Sequence, residues 1–181
     1  SGLVGSEMCI RDRTIGERLQ RDLSAFLPLP EIPYDACVKI PTRVSSLSLV
    51  RYRSNDYSVP VAYGHREVLI KAYVDRVEIY SGSELIAKHE RSYEKGDFIF
   101  NPLHYLALLE QKINALDQAA PLVGWQLPEV FLTLRRLLEA RMGHVGKREY
   151  VQVLRLMEIF SPEETEAAVK QALELGAIGF D

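Results

Sequence analysis

The apolar positions change period twice along the chain. From Thr14 onward, Ile15, Leu19, Leu23 and Phe26 recur at helical spacing, which predicts an amphipathic helix ending before Pro28. Pro28, Pro30 and Pro33 then make a stiff connector, so residues 14–34 read as a linker helix and proline-rich strap. Over residues 35–96 the period drops to two. Residues 36–40 form a short strand closed by Pro41. The stretch VRYRSNDYSVPV at 50–61 alternates on both sides of a polar Ser-Asn-Asp turn, which predicts a β-hairpin. Strands at 67–74, 77–80 and 84–89 follow, separated by reversals at Asp75-Arg76 and Ser81-Gly82-Ser83. Short strands this closely spaced argue a small antiparallel barrel, which removes its own edges by closing.

After Lys95-Gly96-Asp97 the period becomes helical again. Asn101-Pro102 opens a helix through Leu103, Leu106, Ala107, Leu109 and Glu110. Pro128 sits in the first turn of another, with Val130, Leu134, Leu137 and Leu138 inward and Gly143 ending it. Residues 143–146 (GHVG) read as a turn. A third helix over 147–160 places Val153, Leu156, Met157 and Phe160 on one stripe. Ser161-Pro162-Glu163-Glu164 is a strong helix start, leading into a last helix that stops at Gly176. Residues 97–181 therefore read as a small helical bundle. The fold class is α+β, a small antiparallel β-barrel followed by that bundle.

Charge refines this picture. The 181 residues have a formal net charge of −3, so any nucleic-acid surface must be local. The acidity concentrates at the tail: Glu158, Glu163, Glu164, Glu166, Glu174 and Asp181 stand against Lys170 alone. Cys9 and Cys37 lack metal-ligand spacing and suit a reducing cytoplasm. No apolar run is long enough to span a bilayer, so no membrane partner is expected.

Candidate chemistry is sparse. Arg51 and Arg53, two residues apart on one strand, should point the same way and could present paired guanidinium groups to phosphates. Arg66, Lys71 and Arg76 extend the candidate DNA-contacting set. The same residues could equally be solvated charges paired with Glu67, Asp75 or Glu78 across strands. Tyr52, Tyr57, Tyr63, Tyr73 and Tyr80 read mainly as core or rim, with stacking on unpaired bases as the other use. His65, His89, His104 and His144 are scattered and read as structural. No catalytic set, phosphate loop or metal site is recognisable, and no cofactor is expected for this stretch. On the acidic last helix, Glu164, Ala168 and Ala172 are candidate partner-binding residues, because small residues let another helix approach closely.

The run from Arg51 through Val61, then GHREVLIKAYVDRVEIY, AKHERSYEKGDFIFNPLHYLALLEQK and REYVQVLRLME, resemble the C-terminal part of IstA-type insertion-sequence transposases. The resemblance implies a barrel like that of the Mu transposase and a helical C-terminal region. It also implies an upstream ribonuclease-H-like core with an Asp-Asp-Glu triad, none of which maps onto a residue here. Metal-dependent strand transfer, with magnesium as the implied ion, would belong to that upstream part. The implied partners are transposon-end and target DNA, an IstB-type AAA+ ATPase helper, and further copies of the protein assembling on DNA. A bacterial cytoplasm, on the nucleoid when DNA is bound, is the implied location. Residues 3–12, LVGSEMCIRD, resemble the translation of a sequencing-library adapter. Residues 1–13 are therefore read as an artefact, with the natural chain expected to continue upstream of Thr14. Two other classes stay open: a stand-alone protein-interaction module without DNA binding, and an incompletely represented nuclease or other enzyme.

Overall fold

The computed structural model describes residues 15–28, 30, 31 and 34–177. The segment read as adapter-derived lies outside these residues. The chain divides into two compact units, residues 1–36 and 37–181, each described by itself. In the first, α1 (Ile15–Asp22) continues into a 3-10 turn, Leu23–Ala25, and the side chains of Leu19, Leu23 and Phe26 are exposed.

The second unit begins with strands β1 (Val38–Arg43), β2 (Leu49–Tyr52), β3 (Asn55–Ser58), β4 (Glu67–Ala72), β5 (Arg76–Ser81), β6 (Glu84–Glu90) and β7 (Phe98–Ile99). Helices α2 (Leu106–Gln111), α3 (Glu129–Met142), α4 (His144–Arg155) and α5 (Pro162–Glu174) follow. The fold is thus mixed α+β, with strands first and helices after. The ladders form two sheets, β1-β4-β5-β6 and β2-β3-β7, and close no ring among the described residues. All pairs are antiparallel except β3 with β7. Alternation on β4 turns Val68, Ile70 and Ala72 inward, where they meet Val50, Tyr52, Tyr57 and Val59 of the other sheet in one core.

Several details depart from the expectations above. β1 runs through Pro41 instead of stopping there, because an edge strand can spare the missing N–H. The hairpin turn is Arg53-Ser54, with Tyr52 opposite Asn55, and not Ser-Asn-Asp. Alternation fails on β3, where all four residues are buried, because β2 and β7 flank it. Phe98 and Ile99, expected to open the helical region, pair with Asp56 and Tyr57.

Asn101 caps the 3-10 turn Pro102–Tyr105 by accepting from the Leu103 N–H, and α2 continues from it. Residues 143–146 are not a loop. Gly143, at φ +57°, makes the corner, and α4 starts at the next residue. Gly146 lies inside α4 against α3: a Cβ there would sit 2.1 Å from the Leu138 carbonyl oxygen. This earlier start, and a 3-10 turn at Leu156–Glu158, rotate the buried stripe to Tyr150, Val151, Leu154 and Met157. Leu156 and Phe160, expected inside, are exposed, as is Leu137 on α3, where Phe131 takes the buried place. The last helix begins as expected. Ser161 Oγ accepts from the Glu164 N–H, and Glu164 Oε2 accepts from the Ser161 N–H. No helix among the described residues is long and apolar enough to cross a membrane.

A polar seam joins the sheets to the helical part. Ser58 Oγ accepts from the Asn101 N–H at 2.8 Å, so its hydroxyl proton is left to donate to His104 Nδ1, also at 2.8 Å. His89 Nε2 donates to the Ser58 carbonyl at 2.6 Å, and the two imidazoles meet edge-on with centroids 5.6 Å apart. Burial lowers the pKa of both rings, and His89 adds to the effect on His104, which falls to about 4.

Both pKa values are depressed on folding, so the unfolded chain takes up protons that the folded chain refuses as the pH drops below 6.5. Stability should be full above about pH 6.5 and decline toward pH 4, by on the order of 2 kcal/mol for His104. His104→Asn, which keeps an acceptor for Ser58 but does not titrate, should flatten this decline in urea titrations across that range. Gly146→Ala should cost at least about 2 kcal/mol in the same assay, because the new methyl meets rigid backbone.

Candidate nucleic-acid interface

The sequence-derived cations occupy different positions in the fold. Arg51 lies opposite Asp56 across the hairpin and holds it with both ends of its guanidinium, at 3.0 and 2.6 Å. The hydrogen bond to Asp56 also raises the Arg51 pKa further. The four other candidates each rest on a tyrosine ring. Arg53 lies 5.8 Å from the Tyr52 centroid, Arg66 5.4 Å from Tyr63, Lys71 4.9 Å from Tyr80 and Arg76 3.9 Å from Tyr73. A ring face holds a cation by its quadrupole and does not itself consume N–H donors.

Pairing then separates the four. Arg76 bonds Glu78 at 2.7 Å and Asp75 at 3.2 Å. Burial works to raise the Glu78 carboxyl, but hydrogen bonds from Arg76 and Tyr80 outweigh it and hold that carboxyl below its usual range. Lys71 faces the same Glu78 across the ladder. Arg66 immediately precedes β4 and Arg76 begins β5 beyond the other end of β4, roughly 20 Å away at strand rise. Arg51 and Arg53 do not share a strand face, because the strand ends at Tyr52 and Arg53 turns the corner at φ +55°. An L side chain adopts that region at a cost which glycine avoids. The arginine side chain, and not its backbone, is the reason for its presence there.

What gathers at the hairpin tip is a set that sequence reasoning missed. Asn55, buried in β3, donates from Nδ2 to the Ser92 carbonyl and accepts at Oδ1 from the Asp97 N–H, both at 3.1 Å. The Asp56 N–H donates to the Asp97 carbonyl, and the Ser92 N–H donates to the Tyr57 hydroxyl. Together these bonds fold residues 91–97 back over the hairpin. Arg91 arrives between two rings, 5.3 Å from Tyr52 and 4.5 Å from Tyr93. It is fixed there by donation from Nη1 to the Tyr73 carbonyl at 2.6 Å. Arg53, Arg91 and Lys95 then border a cleft of about 230 Å³ with Tyr52 and Tyr93, and Glu94 is its one acidic wall. Tyr93 is 65% exposed. Among the described residues Arg53, Arg91 and Lys95 form no ion pair.

Such an end can grip an anionic backbone and offers an open aromatic face beside it. Among the described residues no three His, Cys, Asp or Glu side chains are grouped to hold a metal ion. The sequence cue for Arg91 and Tyr93 is the alternation of cation and ring in Arg91-Ser-Tyr93, repeated as Tyr52-Arg53. On α5, Ala168 and Ala172 line a groove, while the Glu164 carboxylate is engaged in the helix cap.

Residues 29–101, which end just after β7, match the family described as Mu transposase, C-terminal domain. The chain is 33% identical over 168 residues to a transposase of Aminobacter aminovorans, covering 90% of this chain and 32% of that protein. It is 32% identical over 170 residues to a transposase for insertion sequences IS1326/IS1353 of Pseudomonas aeruginosa, covering 91% of this chain and 32% of that protein. The chain thus spans about a third of the length of the curated relatives it matches. No solved structure matches it. The chain is therefore similar to transposases over nine-tenths of its length, and residues 29–101 are similar to the Mu transposase C-terminal domain.

Asn55→Ala leaves the Ser92 carbonyl and the Asp97 N–H without partners, so it should destabilise the fold by roughly 2 kcal/mol in urea denaturation. Protease nicking near residues 91–97 should rise in the same variant, because that segment loses its attachment.

Proposed function

We propose that the chain is part of a transposase and that its strand unit holds the DNA backbone at the cleft beside the hairpin tip. The single observation that carries this reading is the likeness to transposases over nine-tenths of the chain. The seating of Arg53, Arg91 and Lys95 beside Tyr52 and Tyr93 supplies a physical place for the contact. Within this reading the parent protein is of the IstA type in the Asp-Asp-Glu, ribonuclease-H-like integrase superfamily. Its strand unit is the expected Mu-type barrel, and metal-dependent strand transfer, with magnesium, belongs to residues other than these. Transposon-end and target DNA are the ligands.

Phosphate contact through point charges and guanidinium edges positions a duplex without reading its sequence. Arg51 is neutralised by Asp56 and Arg76 by Asp75 and Glu78, so Arg53, Arg91 and Lys95 take precedence over them. Arg66 and Lys71 remain candidates for a duplex that continues across the sheet. The helical half, with its acidic α5, is a poor ligand for DNA and is given to protein contact, with an IstB-type ATPase helper or further copies of the transposase as partners. The reading places the protein in a bacterial cytoplasm. A protein-interaction module that never meets DNA is the competing reading, and failure to bind any duplex at low salt would establish it.

The test is the salt dependence of duplex binding by the full chain, followed by fluorescence anisotropy. The double variant Arg53→Gly with Lys95→Gln should weaken binding alike for unrelated duplexes. It should also reduce the log–log salt slope by about two, from roughly 0.9 per phosphate contact. Thermal stability should hold or rise, because glycine relaxes the +55° turn. An unchanged slope removes this cleft from the DNA contact.

A further inference from the structure

The helical half contains an apolar groove of about 230 Å³ between α3, α4 and α5, on residues separate from the cation-rich cleft. Leu138 of α3 and Val153 of α4 form its walls, with Val169, Ala168 and Ala172 of α5 opposite. One charged residue, Glu149 of α4, lines it as well. Its Oε2 is buried and has no hydrogen-bond partner, the one buried side-chain polar atom in that condition among the described residues.

A carboxylate oxygen sunk among leucines, valines and alanines without a donor opposes folding, and native structures seldom leave one so. Elsewhere the carboxylates near this region are well supplied. Glu110 takes Gln152 and Arg155, and Asp117 takes Arg135 and Lys147. Glu149 is therefore the exception in a region that otherwise matches its charges. An occupant of the groove can supply the donor that this oxygen lacks. A carboxylate is acceptor-only, and the bond it makes to a cation is the stronger kind.

One of the three helices lining the groove, α5, has the same sign. The helix forming one wall bears Glu163, Glu164, Glu166 and Glu174, and its Lys170 is already paired with Glu166.

We infer that this groove receives an amphipathic, basic helical segment of a partner protein. Two or three of the segment's large apolar side chains fill the space, and one Lys or Arg bonds Glu149. The small side chains at Ala168 and Ala172 let the incoming helix lie close, and apolar anchors one turn apart match a groove bounded by parallel-running ridges. The inference rests only on the assignment of the helical half to protein contact. It does not depend on DNA binding by the strand unit.

The test presents the full chain to a phage-displayed library of random 16-residue peptides, with no DNA present. Enriched peptides should carry large apolar residues at helical spacing together with a Lys or Arg. Synthetic copies should bind the chain in fluorescence polarisation. Glu149→Gln should weaken them on the order of tenfold or more while raising the thermal midpoint of the free chain, because an unpartnered carboxylate is removed. A merely structural Glu149 would lower that midpoint instead. Ala172→Trp, which fills the groove, should abolish peptide binding.

Absence of enrichment overturns the proposal, as does enrichment of peptides without a base or indifferent to Glu149→Gln. Peptide binding that appears only after removal of residues 178–181 makes the chain's own end the occupant. Loss of a self-association by Ala172→Trp in sedimentation makes it a second copy. If DNA binding fails while basic peptides are selected, the DNA reading falls and this one stands.

Discussion

Burial of four consecutive residues, Asn55-Asp56-Tyr57-Ser58, governs the strand unit, because three of the four are polar and every polar group must find a partner away from water. Asn55 is satisfied by the backbone of residues 92 and 97, and Asp56 by Arg51 and the Asp97 carbonyl. The Tyr57 hydroxyl takes the Ser92 N–H, and Ser58 takes the Asn101 N–H and both buried histidines. Each bond draws in a segment more than thirty residues away, with Arg51 as the local exception. The strand therefore acts as the place where the hairpin, the 91–97 loop and the start of the helical part are joined. An apolar strand would have been cheaper to bury but would have specified none of these attachments.

The candidate DNA contact follows from that joining. A molecule with a formal charge of −3 cannot attract a polyanion as a whole, so its cations must be concentrated and kept from their own carboxylates. Tyrosine rings do this here. They hold Arg53 and Arg91 by their faces, where an acidic side chain would have neutralised them, as Asp56 neutralises Arg51. The negative charge is carried instead by the last helix and its approach. The acidic excess of the last helix thus lies far along the sequence from the cations at the hairpin tip.

Much of the architecture was legible in the order of residues. Alternation at Val68, Ile70 and Ala72 set the inner face of β4, and Ser161 with Glu164 announced the start of α5, because these signals act between near neighbours. The two-period division into strands and helices was plain for the same reason. The candidate site was only half visible. Arg53 was named, yet Arg91, Tyr93 and Lys95 were not. They reach it through hydrogen bonds to a buried asparagine some forty positions earlier, and no local pattern reports such a bond. Arg51 looked equivalent to Arg53 until the register set it opposite Asp56. His89 and His104, unremarkable apart, became a coupled buried pair around Ser58. Gly146 looked like a turn glycine and proved to be the point where two helices touch. The sequence by itself determined most of the stretches that become strands and helices and the start of α5, since spacing and caps are short-range. Only the tertiary structure decided which cations stay available, which histidines lose their protons and which carboxylate is left without a donor. Those depend on what long-range packing sets beside each group.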